Sequence, residues 1–371
     1  MAETKAPFRA DMVGSLLRPA PLKEAREKRE KGQISAADLT AVEDAEIKKL
    51  VARQEAIGLK AITDGEARRS WWHYDFLWGL DGVDKVNLGQ GIQFAGVQTR
   101  AEGVKVSGKI GFSTTHPHIE HFKRLKAMVG PGKVAKMTIP SPSMLHYRGG
   151  KKLIEESAYT SMEPYFHDLG MAYNAAIKGF YAAGCRYLQL DDTSLAYFCD
   201  PAQRKMLADR GDDPDVLIDK YVSVLGLALK DRPKDMTITT HTCRGNFRST
   251  FVASGGYEPV ADKVFNQIDV DGYFMEWDDE RSGGFEPLRF LPKGKRVVLG
   301  LVTTKVGAVE KADDLKRRID QATKYTALDQ LCLSPQCGFA STEEGNVLAE
   351  DDQWKKLELI VQVAKDVWKE V

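Results

Sequence analysis

The chain has no surplus charge: Lys and Arg together number 53, as do Asp and Glu, in 371 residues. There is no basic stripe with interleaved aromatics, so nothing in the sequence offers a footprint for a nucleic-acid backbone. Cysteine is scarce. Five thiols, an odd number without paired spacings, do not make a disulfide framework and point to a reducing compartment, the cytoplasm. No uninterrupted apolar run is long enough to cross a bilayer, and residues 1–9 are polar where a secretion signal would be apolar. The expectation is a soluble, unexported protein without membrane contact. Repeats, low-complexity tracts and linkers are also missing, which predicts one domain over residues 1–371.

What is present is a rhythm. Short β-branched or apolar runs alternate with amphipathic helical patterns along the whole chain, as in βα units around a parallel sheet. Eight such runs stand out: Asp11–Leu16, Lys60–Thr63, Val134–Ile139, Tyr187–Leu190, Thr237–Thr240, Gly272–Met275, Arg296–Leu301 and Gln330–Leu333. Eight parallel strands predict a single (β/α)8 TIM barrel. Helical stripes such as Leu169, Tyr173, Ala176 and Phe180, or Leu357, Val361, Ala364 and Trp368, should pack on its outside. Residues 82–112 break the rhythm with Val104, Val106 and Ile110 in alternation, and read as a decorative β-hairpin inserted after strand 2.

In such a barrel chemistry belongs at the carboxyl ends of the strands. Seven residues fall there: Ser15, Glu66, Asp191, His241, Cys243, Glu276 and Cys337. His241 and Cys243 share one face of an extended segment and can grip one ion. Glu276 and Cys337, arriving from other strands, complete a set of one imidazole, one carboxylate and two thiols. That set suits zinc; magnesium or calcium would call for oxygen throughout. Ligands scattered from position 241 to 337 favour a catalytic site over a structural staple.

These pieces resemble the catalytic barrel of cobalamin-independent methionine synthase, and more closely its short single-barrel relatives, over nearly the whole chain. The resemblance rests on Val13-Gly14-Ser15, Thr63-Asp64-Gly65-Glu66, Leu188-Gln189-Leu190-Asp191, His241-Thr242-Cys243, Tyr273-Phe274-Met275-Glu276 and Ser334-Pro335-Gln336-Cys337-Gly338. It implies that His241, Cys243, Glu276 and Cys337 bind Zn2+, and that Ser15, Glu66 and Asp191 hold the amino-acid part of homocysteine. The implied activity is methyl transfer to that thiol, giving methionine, from methyltetrahydrofolate. Homodimerisation is left open.

Two departures fall on the donor side. The family's folate-stacking tryptophan is replaced by Thr138-Ile139-Pro140-Ser141-Pro142, so the platform passes to Trp71, Trp72 or Tyr197. The family's proton-donating histidine is missing near Thr303-Thr304-Lys305, and no catalytic acid is assigned. A methyl-corrinoid donor, a zinc-thiol alkyl transferase of the epoxide:coenzyme M type, a uroporphyrinogen decarboxylase-like lyase and a zinc-stabilised binding protein are the rival readings. Cys185, Cys199 and Cys332 read as small buried hydrophobes, and His116, His118 and His121 as a solvated helix end and not a second metal site. Asp192, next to Asp191, should face the other way.

Overall fold

The computed structural model describes residues 5–371. The strands in chain order are β1 (Ala61–Ile62), β2 (Asp81–Asn87), β3 (Gln93–Phe94), β4 (Val97–Gln98), β5 (Glu102–Gly111), β6 (Val134–Pro140), β7 (Tyr187–Asp192), β8 (Thr237–Thr242), β9 (Gly272–Glu276), β10 (Arg296–Val302) and β11 (Leu331–Pro335). Seven of them form one curled parallel sheet in the order β1-β6-β7-β8-β9-β10-β11. Helices connect consecutive members, as parallel pairing requires. No helix among the described residues is long and apolar enough to cross a membrane.

The sheet has seven strands where eight runs were expected. The first run, Asp11–Leu16, forms no strand; just before it lies one parallel bridge, Ala10 to Leu333, fixed by Asp11 N–H to Leu333 O (3.0 Å) and Leu333 N–H to Arg9 O (2.8 Å). On its other side it meets the β1 neighbourhood through the Thr63 hydroxyl, which donates to Gly14 O at 2.7 Å, and Leu16 N–H to Gly65 O at 3.0 Å. A ladder does not develop there because backbone groups of Val13 and Gly14 are taken by side chains, Gln189 Nε2 and Thr63 Oγ1. Most of the remaining strands run one or two residues beyond the apolar runs that announced them, and in β7, β8 and β9 the added residues are polar. Asp191, Asp192, His241, Thr242 and Glu276 are thus within strands.

Alternation explains how polar strands survive burial on both faces. Leu188, Leu190 and Ile238 join the main core beneath the helices. The inward positions instead hold Asp11, Lys136, Tyr187, Gln189 and Thr239, with a small cluster of Val13, Phe274, Val298 and Cys332. Lys136 and Asp11 are fully buried and paired at 3.1 Å, and the Tyr187 hydroxyl donates to Asp11 at 2.8 Å. A buried pair of this kind costs desolvation, and its extra hydrogen bonds offset that cost.

Outside the sheet, helix Met162–Ala182 buries the stripe Leu169, Tyr173, Ala176 and Phe180. Helix Glu350–Trp368 likewise buries Leu357, Val361 and Ala364. Each leucine, valine or phenylalanine among them contributes roughly 1.5–3 kcal/mol by leaving water, and each alanine about a third of that. The segment between β1 and β6 makes an antiparallel excursion: β2 pairs with β5, and β3 with β4 at its tip.

The histidine cluster departs from its reading as a solvated helix end. His116 and His118 are buried, 2% and 1% exposed. His116 Nδ1 accepts from His118 N–H as the cap of helix Pro117–Met128, and its Nε2 meets Phe76 O at 2.9 Å. The excursion and the Tyr74–Leu77 turn, which carries Phe76, cover this helix start with aromatic rings, and the sequence spacing gave no sign of that cover.

Candidate metal centre and its cavity

Parallel register places two site residues side by side. Asp191 on β7 faces His241 on β8, which in turn faces Phe274 on β9. Cys243 follows β8 directly, its N–H bound to Asp192 O at 3.1 Å. Cys337 lies two residues past β11. The ligand atoms of His241, Cys243 and Cys337 all lie within 4.8 Å of one another, and the two sulfurs are 3.4 Å apart. Both ring nitrogens of His241 are buried and lack a hydrogen-bond partner. An imidazole left so is costly unless something else binds it. The donor set is soft, and these three residues fit a metal ion of the borderline kind.

Glu276, the last residue of β9, is not among the donors that converge within that distance. Its carboxylate accepts from Arg281 Nη2 at 2.7 Å, Lys305 Nζ at 3.3 Å and Arg244 N–H at 2.8 Å. Burial alone would raise its pKa, but the charges of Lys305, Arg281 and Arg244 outweigh it and bring the carboxyl to about 2. Burial would likewise depress His241; the nearby Cys243 sulfur, then Asp191 and Glu276, raise it instead. The Cys243 thiol is pushed well up by its hydrogen bond with Cys337 and by burial.

Ser15, Glu66 and Asp191 share a cavity with this cluster. It contains about 620 Å³ of atom-free space, part of it open to solvent. Glu66 Oε1 accepts from the Thr138 hydroxyl at 2.7 Å, while Oε2 is buried without a partner. Glu66 sits at φ +54°, a left-handed conformation costing roughly 1–2 kcal/mol and held by Glu66 N–H to Asp64 Oδ1 at 2.8 Å. Asp191 accepts from Gln189 Nε2 at 2.7 Å, and burial, helped by the Glu66 charge, pushes its carboxyl up to about 7. Two acids facing one space repel; a cation between them would relieve both. Asp192, expected to face away, also lines the cavity, but its oxygens are taken by the hydroxyls of Ser143 and Ser194 and by Leu195 N–H.

The excursion is more than the decoration it was taken for. Ile92, Phe94 and Thr99 line the cavity, and its tip reaches the far rim through Ala95 N–H to Phe251 O (3.0 Å) and the Phe94–Phe247 ring pair (5.3 Å). Trp71, Trp72, His73, Arg148 and Tyr197 complete the aromatic side. Sequence reasoning missed His73, Arg148 and the loop residue Asn246, whose Nδ2 donates to Gly338 O at 2.7 Å. The Arg148-Gly149-Gly150 turn after β6 was the one available signal.

Sheet and donor set together define an α/β protein with a buried His/Cys/Cys cluster, able to hold a metal, at the carboxyl edge of a parallel sheet. Residues 133–366 match the model of the cobalamin-independent synthase catalytic domain, and the chain belongs to that family. It is 51% identical over 368 residues to YxjH, an uncharacterised Bacillus subtilis protein, covering 99% of this chain and 96% of that one. A solved structure from Listeria monocytogenes, provisionally named a vitamin-B12-independent methionine synthase, superposes with a TM-score of 0.79 at 42% identity, covering 98% and 99% of the two chains. The 5-methyltetrahydropteroyltriglutamate–homocysteine methyltransferase of Bacillus velezensis is 23% identical over 91% of this chain, which spans 40% of that enzyme's length.

Proposed function

We propose that the chain is a zinc-dependent S-methyltransferase that converts homocysteine to methionine with methyltetrahydrofolate as donor. The observation that carries this reading is the convergence of His241, Cys243 and Cys337 around an imidazole without partners, in one cavity with the unpaired Glu66 Oε2 and with Asp191.

His241, Cys243 and Cys337 would hold zinc, which when bound would supply a Lewis acid that keeps a substrate thiol ionised near neutral pH. Glu276 would be the fourth ligand in this reading. Glu66 and Asp191 receive the substrate ammonium. The Ser15 hydroxyl accepts from Ala340 N–H at 3.2 Å and keeps its own proton free for the substrate carboxylate. The roof of Ile92 and Phe94 excludes water from the thiolate. The reaction forms a carbon–sulfur bond and breaks the donor's nitrogen–methyl bond. The electron pair stays on that nitrogen, which gains a proton, and the thiol loses one.

The cavity is a cleft walled by Trp72, Ile92, Phe94 and Phe247, which suits a free small molecule and favours a folate over a corrinoid presented by a partner protein. The same reading takes Arg9–Met12 as the eighth stave of a closed barrel and residues 5–371 as one unit. The test is to measure bound zinc, then look for methionine from homocysteine with methyltetrahydrofolate and, separately, with methylcobalamin. Stoichiometric zinc and product from the folate are expected. Protein without transition metal, or product from neither donor, would overturn the proposal.

A further inference from the structure

Among the described residues Arg148 is the only Lys or Arg lining the cavity, whose other titratable groups are carboxyls, thiols, imidazoles and the Tyr197 phenol. No carboxylate pairs with its guanidinium among the described residues; its one polar side-chain contact is the Tyr197 hydroxyl at 3.3 Å. The backbone before and at Arg148 is pinned by Arg210 Nη1, which donates to Tyr147 O at 2.6 Å and to Arg148 O at 3.1 Å. A positioned, partly buried cation without a counter-ion is a receptor for an anion.

Beside it stands His73, 3% exposed, with both ring nitrogens unpartnered. Its ring lies between Trp72 (centroids 4.6 Å apart) and Tyr74 (3.9 Å). Burial and the Arg148 charge push the imidazole pKa well down, so it is neutral and offers one N–H and one lone pair. An aromatic slab with a polar edge and a cation at one end matches one ligand chemistry: a flat heteroaromatic ring carrying a carboxylate arm. The acids Glu66 and Asp191 repel such an arm, which separates this subsite from the one that takes an ammonium.

We propose that Arg148 and His73 form the methyl-donor subsite, Arg148 binding the carboxylate arm and His73 the polar edge of a ring lying against Trp72. This deepens the function proposed above and rests on it.

The test is calorimetric titration of the zinc-loaded protein with methyltetrahydrofolate, with the corresponding pteroyl methylamide that lacks both glutamate carboxylates, and with homocysteine. Arg148→Gln should weaken methyltetrahydrofolate roughly ten- to hundredfold, leave the methylamide within about twofold, and leave homocysteine within about twofold. Arg148→Lys, which keeps the charge without the fork, should fall between. His73→Phe, which keeps the ring packing, should weaken both pteroyl ligands alike. Equal loss of both pteroyl ligands in Arg148→Gln, loss of homocysteine, or no change in a folded variant would overturn the subsite while leaving methionine formation by the wild type intact. Wild-type protein that neither binds methyltetrahydrofolate nor forms methionine would remove the parent reading as well.

Discussion

Gly338 is where the acceptor side of the site can be perturbed most sharply. A Cβ added there would lie 1.9 Å from Ser15 Oγ, 3.0 Å from Ser15 Cβ and 3.1 Å from Ser15 N. Ordinary contact begins at 3.4 Å, so one partner must move by 3.4 − 1.9 = 1.5 Å. Rotating Ser15 breaks its bond from Ala340 N–H, at about 1 kcal/mol, and overpacking adds about 1–3 kcal/mol. Moving the loop instead drags Cys337, and metal–ligand distances tolerate only about 0.2 Å. Gly338→Ala is therefore expected to lose about 2–4 kcal/mol in urea unfolding and at least tenfold in homocysteine affinity by calorimetry. Ser15→Gly combined with Gly338→Ala removes both clashing atoms, so it should recover most of the stability and none of the amino-acid affinity. Gly338→Ala protein with unchanged unfolding midpoint and unchanged homocysteine binding would refute the reasoning.

Glu276→Gln leaves Arg281, Lys305 and Arg244 without their shared anion and should cost about 3–5 kcal/mol by urea titration; a loss below about 1 kcal/mol would show that water compensates them. His146, buried against the Tyr221 hydroxyl, is held down to about 4 by burial, from 6.5. An unfolded chain takes up that proton first, so the histidine's contribution is present above pH 6.5 and fades as pH falls toward 4. The stability advantage of wild type over His146→Gln should therefore shrink by about 2–3 kcal/mol between pH 7 and 4.5, and a constant difference would contradict the burial argument. Chelation should abolish methyl transfer, reversibly on adding zinc, while far-ultraviolet circular dichroism stays unchanged, because His241 and Glu276 are fixed by the β8 and β9 ladders; unfolding on chelation would mark the metal as structural instead.

The parallel strands were legible because fully buried strands such as Arg296–Val302 read as near-continuous apolar runs. Their carboxyl ends were less so, since Asp191, His241 and Glu276 end strands with polar side chains that pattern reading assigns to loops. The convergence of His241, Cys243 and Cys337 was legible from residue type and strand order alone. Where Glu276 directs its carboxylate was not, because Lys305 and Arg281 reach it from separate loops. The first run failed as a strand for a related reason: side chains from β7 and the β1 rim take its backbone groups, and long-range satisfaction of that sort leaves no local trace. The excursion between β1 and β6 was recognised as extended structure, yet its role over the cavity depends on where Phe94 lands, opposite Phe247.

The bridge between Ala10 and Leu333 sets an order of events. These partners are separated by more than three hundred residues, and Arg9 adds bonds to Asp329 O and Leu331 O, both at 2.9 Å. A nascent chain leaving the ribosome can stack β6 through β10 as each appears and seat the opening segment against the β1 rim, β6 and β7, but the other edge of that segment has no partner until β11 emerges. Loop-closure entropy makes the Ala10–Leu333 bridge the slowest contact to form, so the side of the cavity where Ser15 meets Gly338 is completed last. Chains stalled before β11 would leave the β10 edge unpaired, a surface for chaperones to recognise.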